Sequence, residues 1–491
     1  MHTLIWFLIF IYGFLLLFVL MYSSVQFTLA ITYIKNRKKK NKEYPSHLKF
    51  PHVTVQLPIY NEKYVAARLI QKVAELDYPL SKFEIQVLDD SSDDTVTIID
   101  EAVEVVKQKG IDISIIRRED RVGFKAGALA YATPMAKGGF IAIFDADFIP
   151  IKSFLKDTIG YFSDEKVGLV QSRWEHLNKN YNLLTKLQAF GLDAHFSVEQ
   201  EGRNLGGHFI NFNGTAGIWR KTTIADAGGW QSDTLTEDLD LSYRAQLKGW
   251  QFKYIENIGS PAELPPVMNA LKTQQYRWTK GGAECAVKNL PRVLENKELD
   301  WKTKIHSIFH LLNSFVFICI FLTGVLSVPM LLIKNGFPEY DFIFEVASLF
   351  SISFFFLMFF YWTSVKYNKY NESVTLVKFI LNFPIFLSIF MGLSLHNSIA
   401  VIEGYLGRAT PFVRTPKFNL LESSGNWYKN NYLRRHVNPL TYLEIGLGIY
   451  FMLAIGISIR IGDFGLLPFH IMLFMGYVSV GLYSFIHSAR S

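Results

Sequence analysis

The chain has 491 residues, of which 50% are hydrophobic, 15% aromatic and only 19% charged. Soluble proteins carry about 25% charged residues and domains span about 100–200 residues, so this composition excludes a single soluble domain and places part of the chain in lipid. The net charge of +7 is typical of the basic cytoplasmic flanks of membrane proteins and is not taken as nucleic-acid binding. Cys285 and Cys319 stand in no CxxC or His-paired spacing, which argues against a disulfide framework or a zinc site.

The first hydrophobic segment covers residues 4–34 almost without interruption. A membrane span needs about 20 apolar residues, whereas the apolar part of a signal peptide has only about 7–15. We therefore predict a retained transmembrane helix within residues 1–34. Residues 35–40 carry five basic side chains, and basic flanks remain in the cytoplasm. The N-terminus is then outside, and the following domain is cytosolic.

Hydrophobicity returns in five segments, 305–333, 342–365, 375–402, 440–460 and 464–487. The third of these has basic residues on both flanks, so both of its ends are expected in the cytoplasm. We therefore predict that residues 375–406 form interfacial helices rather than a span, with a genuine sixth span as the alternative. Residues 301–491 then form a bundle of four spans, which makes five in the whole multi-pass chain, with a cytoplasmic C-terminus.

Between the first span and the bundle, residues 45–300 contain no predicted span. Strand-like runs alternate there with helical stretches, which predicts an α/β domain with a mostly parallel sheet. The predicted strands are 52–58, 83–88, 111–116 and 140–144, and the predicted helices are 63–76, 95–109 and 126–133. Ligands of such sheets bind beyond the carboxyl ends of the strands, and two acidic clusters lie at such ends.

One of these clusters is a pair of aspartates, Asp145 and Asp147, directly after the apolar run 140–144. Two carboxylates there can hold Mg²⁺ or Mn²⁺, since such cations prefer oxygen ligands and share them with substrate phosphates. The ion would neutralise charge on a departing diphosphate. Two solvated loop acids are the alternative, because the motif is short.

The other cluster begins with Asp89 and Asp90, after the strand 83–88. A calcium-binding EF-hand loop needs glycine at its sixth position, which here is Asp94, so that interpretation is rejected. Capping of the next helix explains the end of the cluster, since Ser, Asp and Asn suit a helix start. It does not explain Asp89.

A third acidic stretch, Thr236-Glu237-Asp238-Leu239-Asp240, precedes a helical pattern. An aspartate here can act as a general base on an acceptor hydroxyl if it lies within about 3 Å of it. The competing interpretation is a capped helix start with acids in its first turn.

The fourth motif is Gln274-Gln275-Tyr276-Arg277-Trp278. The planar guanidinium of Arg277 suits a diphosphate, because it makes paired hydrogen bonds. Trp278 offers a flat apolar face for a sugar ring, and it also suits an aromatic anchor at the membrane surface. Both roles of Trp278 are compatible.

The order of these motifs resembles that of the family 2 glycosyltransferases that synthesise polysaccharides, which include cellulose and hyaluronan synthases. The cellulose-synthase-like glucomannan and xyloglucan-backbone synthases are the most similar group. The matching stretches are 55–62, 88–91, 125–129, 144–148, 170–174, 212–217 and 274–278. They span most of 52–282, so the resemblance does not depend on one short motif. It implies a Rossmann-like domain of the GT-A type, inserted between transmembrane helices.

The resemblance also implies a role for each matching residue. Asp238 is expected to be the catalytic base, and Trp278 to stack on the acceptor sugar. Asp145 and Asp147 are expected to hold the metal and diphosphate. The expected donor-binding residues are Asp89 at the base or ribose, together with Lys125, Asp145, Gln274 and Arg277.

Residues 411–418 are similar to the family's gating loop of pattern FxVTxK, through Phe412, Thr415 and Lys417. Arg414 stands where the pattern has valine, so the loop departs from the family at that position.

Together these features predict an inverting hexosyltransferase that uses a nucleotide-diphospho-sugar, UDP-glucose or GDP-mannose, and Mg²⁺ or Mn²⁺. The product is expected to be a growing β-1,4-glucan or mannan, with export through the bundle and partner subunits for export left open. Transfer of one sugar to a lipid phosphate carrier is an alternative, although enzymes of that kind usually lack the QxxRW motif. A transporter with a soluble insert is the non-enzymatic alternative, but the spans carry few of the ionisable residues that it needs.

Overall fold

A seven-stranded sheet forms the centre of the computed structural model, which describes residues 2–38, 50–368, 374–410, 412–420, 432 and 437–490. Its strands are β1 (Val53–Ile59), β2 (Phe83–Asp89), β3 (Asp112–Ile116), β4 (Phe140–Ile143), β5 (Val167–His176), β6 (Gly217–Arg220) and β7 (Gln251–Ala262). The strand order is β3-β2-β1-β4-β6-β5-β7. Strand β6 is antiparallel to both its neighbours and the remaining pairs are parallel. The predicted mostly parallel α/β fold is therefore confirmed.

The direction of the strands brings six carboxyl ends to one edge of the sheet, because β6 alone runs the opposite way. The central strand β1 is almost wholly buried, as expected of a strand covered by helices on both faces. Its valines and those of β2 belong to the apolar core of the domain. Burial on both faces fixes the register, so the residues after each strand are placed reproducibly at that edge.

Helices of the domain connect these strands and cover the sheet. They are α2 (Ala66–Ala74), α3 (Thr95–Lys107), α4 (Phe124–Ala132), α5 (Phe154–Ile159), α6 (Leu183–Ala194), α7 (Gln200–Gly206), α8 (Lys221–Asp226) and α9 (Glu237–Leu247). A single π-helical segment, His195–Glu199, joins α6 to α7. The predicted helices 63–76, 95–109 and 126–133 correspond to α2, α3 and α4.

Helix α10 (Met268–Glu295) links the sheet domain to the hydrophobic helices, together with α11 (Trp301–Leu311). The Lys272 Nζ donates to Glu444 Oε2 at 2.6 Å, and both side chains are buried. The Met268 backbone N–H donates to His487 Nδ1 at 3.0 Å. Removing one partner of a buried ion pair costs about 3–5 kcal/mol, so this contact fixes α10 on the bundle.

The hydrophobic helices are α1 (His2–Asn36), α12 (Phe315–Gly336), α13 (Asp341–Ser348), α14 (Ile352–Tyr367), α15 (Leu376–Gly392), α16 (Ser394–Tyr405), α17 (Leu440–Ile461) and α18 (Leu467–Arg490). By length and composition, five spans are possible among the described residues, at 2–36, 315–336, 338–367, 440–461 and 467–488. The number agrees with the sequence prediction. The predicted span 305–333 starts too early, because the chain leaves the helix after Leu311 and α12 begins at Phe315.

The segment predicted to lie at the interface consists of α15 and α16, which meet at a bend of 48°. Helix α15 packs on α18, and α16 packs on α10 and α12. The pair is apolar enough to count as a sixth, broken span. Its position at the interface therefore stays a prediction.

Two glycines allow α15 and α18 to pack closely. A Cβ on Gly476 would lie 2.0 Å from the carbonyl oxygen of Ser388, and one on Gly392 would lie 2.4 Å from backbone atoms of Gly476. Small residues let backbones approach in this way at helix interfaces in membranes.

We predict that Gly476→Val separates α15 from α18 and lowers the thermal unfolding midpoint of the protein in detergent. Gly456→Val is the matched control, because a Cβ there meets no atom within 4 Å. Equal midpoints for the two variants would contradict this packing.

Candidate active site

A large cavity lies at the edge of the sheet where the parallel strands end. It is lined by residues that follow β1, β2, β4, β5 and β7, and by α4, α9, α10 and the loop 412–417. All the residues predicted for the site line it, except Asp89. The fold therefore brings together motifs that lie up to about 350 positions apart in the sequence.

Asp145 and Asp147 follow β4 and enter the cavity side by side, and each carboxylate faces a lysine. The Lys125 Nζ donates to Asp145 Oδ1 at 2.6 Å, and the Lys417 Nζ donates to Asp147 Oδ2 at 2.7 Å. The backbone N–H of Asp145 donates to Thr215 Oγ1 at 2.9 Å, which holds the start of the loop. The alternative of two solvated loop acids fails for Asp147, whose side chain is 3% exposed.

The chemistry of these two aspartates fits a divalent cation that also binds substrate oxygens. The Oδ1 of Asp147 is buried and has no hydrogen-bond partner within the part of the chain that the structure describes. Among the same residues, no group of three or more His, Cys, Asp or Glu side chains could hold a metal ion. A cation bound here would thus take further ligands from phosphate oxygens, as Mg²⁺ commonly does.

Asp238 lies in the first turn of α9, and its carboxylate interacts electrostatically with Lys125. Its Oδ1 accepts from the backbone N–H of Leu239 at 2.8 Å, and a Cβ on Gly214 would lie 3.0 Å from its Oδ2. Burial and the neighbouring Glu237 carboxylate raise the pKa of Asp238 to about 7. A carboxylate with such a pKa can accept a proton near neutral pH.

The helix-start interpretation of this stretch is correct in one respect, since acids do occupy the first turn of α9. Thr236 makes no side-chain cap bond, however, and its Oγ1 contacts Cys285 Sγ at 3.3 Å instead. Helix capping alone does not explain why Asp238 lines the cavity.

Helix α10 supplies Gln274, Arg277 and Trp278 to the cavity wall. The Arg277 Nη2 donates to Thr415 Oγ1 at 3.2 Å, while its buried Nε has no partner among the described residues. Trp278 lies 6.5 Å from Trp174, measured between ring centroids. The two indoles line one cavity and form an apolar surface there. The alternative role of Trp278, an anchor at the end of a membrane span, would require α10 to border a span, and α10 itself is not among the possible spans of the described residues.

The loop after α16 reaches into the same cavity, although residue 411 of the predicted loop 411–418 lies outside the described residues. The Phe412 ring stacks on Phe124 at 5.3 Å, and Arg277 lies 5.0 Å from the centre of the same ring. Burial opposes the charged form of Lys417, but the carboxylates of Asp147 and Glu62 more than offset this and raise its pKa.

Asp89 is placed differently from its prediction. It is the last residue of β2, its side chain is fully buried, and it accepts from Arg117 Nε at 2.8 Å. Asp90 is the residue of this pair that lines the cavity, where Arg118 holds its carboxylate through two hydrogen bonds. At this edge, Asp90 rather than Asp89 is thus within reach of a ligand.

Several further ionisable residues of the cavity were not predicted for the site, among them Glu62, Glu263 and His176. Glu62 forms an ion pair with Arg414 at 2.7 Å, and Glu263 accepts hydrogen bonds from the backbone of residues 418–420. Burial raises the pKa of both carboxyl groups to about 7. His176 lies 3.3 Å from Asp193. His176 is the last residue of β5, and Glu263 directly follows β7. A position at the end of a strand is also what indicated Asp145.

Residues 51–281 match the family model described as "Glycosyltransferase like family 2". This part of the chain is therefore similar to the family 2 glycosyltransferases. The resemblance drawn from the motifs is confirmed.

Two curated relatives come from Oryza sativa subsp. japonica. "Probable glucomannan 4-beta-mannosyltransferase 4" is 42% identical over 275 residues, which cover 55% of this chain and 49% of the relative. "Glucomannan 4-beta-mannosyltransferase 1" is 38% identical over 297 residues, covering 57% and 56%. The chain spans about half the length of the curated relatives it matches.

Among solved structures, "Mannosyltransferase PcManGT from Pyrobaculum calidifontis in complex with GDP-Man and Mn2+" is similar at 17% identity and a TM-score of 0.48. The match covers 73% of this chain and 100% of that one. A TM-score below 0.5 does not establish a common fold.

Gly127 packs closely against the loop that contains Arg118 and Val122. A Cβ at this position would lie 2.1 Å from the carbonyl oxygen of Val122 and 2.7 Å from Arg118 Nη1. We predict that Gly127→Ala displaces the loop and destabilises the protein by on the order of 1–3 kcal/mol, as overpacking does. The measurement is the thermal unfolding midpoint. Gly139→Ala, where a Cβ meets nothing within 4 Å, is the control, and equal midpoints would refute the close approach.

Proposed function

We propose that this chain transfers a hexosyl residue from a nucleotide-diphospho-hexose, with inversion, to the end of a growing β-linked polysaccharide of the mannan or glucan type. The observation that carries this proposal is the arrangement of three groups in one cavity. A half-buried acid with a raised pKa, Asp238, lines the same cavity as the carboxylates of Asp145 and Asp147 and the guanidinium of Arg277. The names of the rice relatives favour mannose as the transferred sugar.

The diphosphate of the donor would lie between the aspartate pair and α10. Arg277 offers an unpartnered Nε there, and Lys125 adds a second positive charge. Arginine suits diphosphate because its fork matches two phosphate oxygens. Gln274 lies on the same wall as Arg277 and completes the proposed donor contacts.

Asp145 and Asp147 would hold Mg²⁺ or Mn²⁺ together with diphosphate oxygens. When bound, such an ion stabilises the negative charge of the leaving diphosphate. Lys417 is paired with Asp147 in the present arrangement, so this lysine and the ion compete for the same carboxylate. Movement of the loop 412–417 would then accompany donor binding.

In the transfer itself, Asp238 takes the proton from an acceptor hydroxyl. The acceptor oxygen forms a bond to the anomeric carbon on the face opposite the diphosphate. The bond from that carbon to the phosphate oxygen breaks, and the nucleoside diphosphate leaves with the electron pair. One displacement of this kind inverts the configuration.

The acceptor sugar would stack on Trp278, with Trp174 extending the aromatic surface. Helix α10 carries Trp278 and is fixed to the hydrophobic bundle by Lys272 and Glu444, which supports an acceptor end near the membrane. We propose that the sheet domain is cytosolic, as the basic residues 35–40 suggest. Export of the glycan and partner subunits stay predictions of the family resemblance.

The role of Asp238 leads to a direct prediction. Asp238→Asn removes the proton acceptor but keeps the side-chain volume, so we expect transfer to fall by at least 10²-fold while donor binding changes little. Donor binding is measured by calorimetry and transfer by incorporation of labelled sugar. Asp226→Asn, at an exposed position on α8, is the control. Retained transfer in the Asp238→Asn protein would exclude Asp238 as the base.

The pKa of about 7 leads to a second prediction. Asp238 accepts a proton only when ionised, so kcat/KM should fall about tenfold for each pH unit below about 7 and level off above it. Glu263 has a pKa in the same range, and the fall in kcat/KM below pH 7 should persist in the Glu263→Gln variant. A profile that is flat between pH 5.5 and 8, or a limb that disappears in the glutamine variant, would contradict the assignment.

A further inference from the structure

The two ends of the cavity can be told apart from the strand order. The aspartate pair follows β4, whereas Asp90 follows β2 and the segment 117–123 follows β3, the outermost strand on that side. Trp174, part of the proposed acceptor surface, lies on β5, on one side of β4. With the proposed diphosphate at β4, the opposite side, at β2 and β3, is left for the nucleoside of a donor. The residues after β3 would then face the base.

Three arginines follow β3, and two of them are fully engaged. Arg117 binds Asp89 and Asp100, and Arg118 binds the carboxylate of Asp90 and two backbone carbonyls. Arg121 differs from both. It lines the cavity, yet among the described residues its guanidinium makes no hydrogen bond and has no carboxylate within 4.0 Å, and its Nε is buried without a partner.

Aromatic rings hold this guanidinium in place. Its carbon lies 3.2 Å from the centre of the Tyr60 ring, 4.9 Å from that of Phe124 and 5.6 Å from that of Phe412. Stacking on aromatic faces fixes the plane of an arginine while leaving its N–H groups, which lie in that plane, free to donate. A buried donor without an acceptor costs free energy, so an arginine arranged in this way suits an acceptor from a ligand.

We propose that Arg121 reads the base of the donor and selects guanine over uracil. This inference rests on the proposed function, since it names the nucleotide for the same site. An arginine fork needs two adjacent acceptors, and the guanine edge supplies them as O6 and N7. Uracil has one carbonyl on the corresponding edge, between an N–H and a C–H. The carboxylate of Asp90, on the neighbouring strand end, offers acceptors for the N–H groups of guanine.

The test is the binding of GDP, GMP and UDP to the full-length protein in nanodiscs, measured by calorimetry without sugar transfer. The wild-type protein is expected to bind GDP at least tenfold more tightly than UDP. Arg121→Met should weaken the binding of GDP and of GMP at least tenfold, and the binding of UDP less than twofold. Lys109→Met, at the exposed end of α3, removes the same charge outside the cavity and should change neither.

Each other result has a definite meaning. Equal weakening of GDP and UDP by Arg121→Met would show that Arg121 binds phosphate, and no weakening would show that it does not contact the nucleotide; both overturn the inference and leave the proposed function standing. Tighter binding of UDP by the wild-type protein also overturns it. Failure of every nucleotide to bind would reject the proposed function as well. If Arg121→Met does not fold, Arg121→Lys keeps the charge without the fork and must show the same selective loss.

Discussion

The cavity depends on one electrostatic constraint, the balance of carboxylates at the strand ends by cations from distant parts of the chain. Asp145 faces Lys125 from α4, Asp147 faces Lys417 from the loop after α16, and Glu62 faces Arg414 from the same loop. Asp147 and Glu62 are buried, and an uncompensated buried charge is strongly destabilising. The strand ends and the loop must therefore come together for these two carboxylates to have a cationic partner.

This balance connects the sheet domain to the hydrophobic bundle. Helix α10 carries Arg277 into the cavity at one part of its length and binds Glu444 of α17 through Lys272 near its start. The loop 412–417 starts from α16, which packs on α10. The charged groups around the cavity are thus positioned by elements of the bundle as well as by the sheet. A soluble fragment that ends after β7 would lack Arg277, Trp278 and Lys417.

The sequence predicted strands β1, β2, β3 and β4, and the continuous apolar run of β4 placed Asp145 and Asp147 at a strand end. Strand β7 was not predicted, so Glu263, which follows it, was missed. Neighbouring residues at a strand end face opposite ways, so the sequence does not show that Asp90, and not Asp89, lines the cavity.

The bundle shows a similar limit. Hydropathy placed five spans, but it did not detect the break between Leu311 and Phe315, because the residues before it are apolar enough to extend the segment. The apolar composition of α15 and α16 is compatible both with crossing the membrane and with lying at its interface, so composition does not distinguish the two. Such boundaries depend on helix packing, which a single sequence does not show.

The measurement that tests the central claim most directly is product analysis of the purified protein in lipid. The protein is incubated with each of GDP-mannose, UDP-glucose and UDP-N-acetylglucosamine, with Mn²⁺ or Mg²⁺, and the products are analysed for size and linkage. The account predicts a β-linked polymer of many hexoses, formed from one donor and abolished by chelation of the metal. A single sugar attached to lipid would contradict the polymer synthase, and the absence of transfer from every nucleotide sugar would contradict the proposed function as a whole.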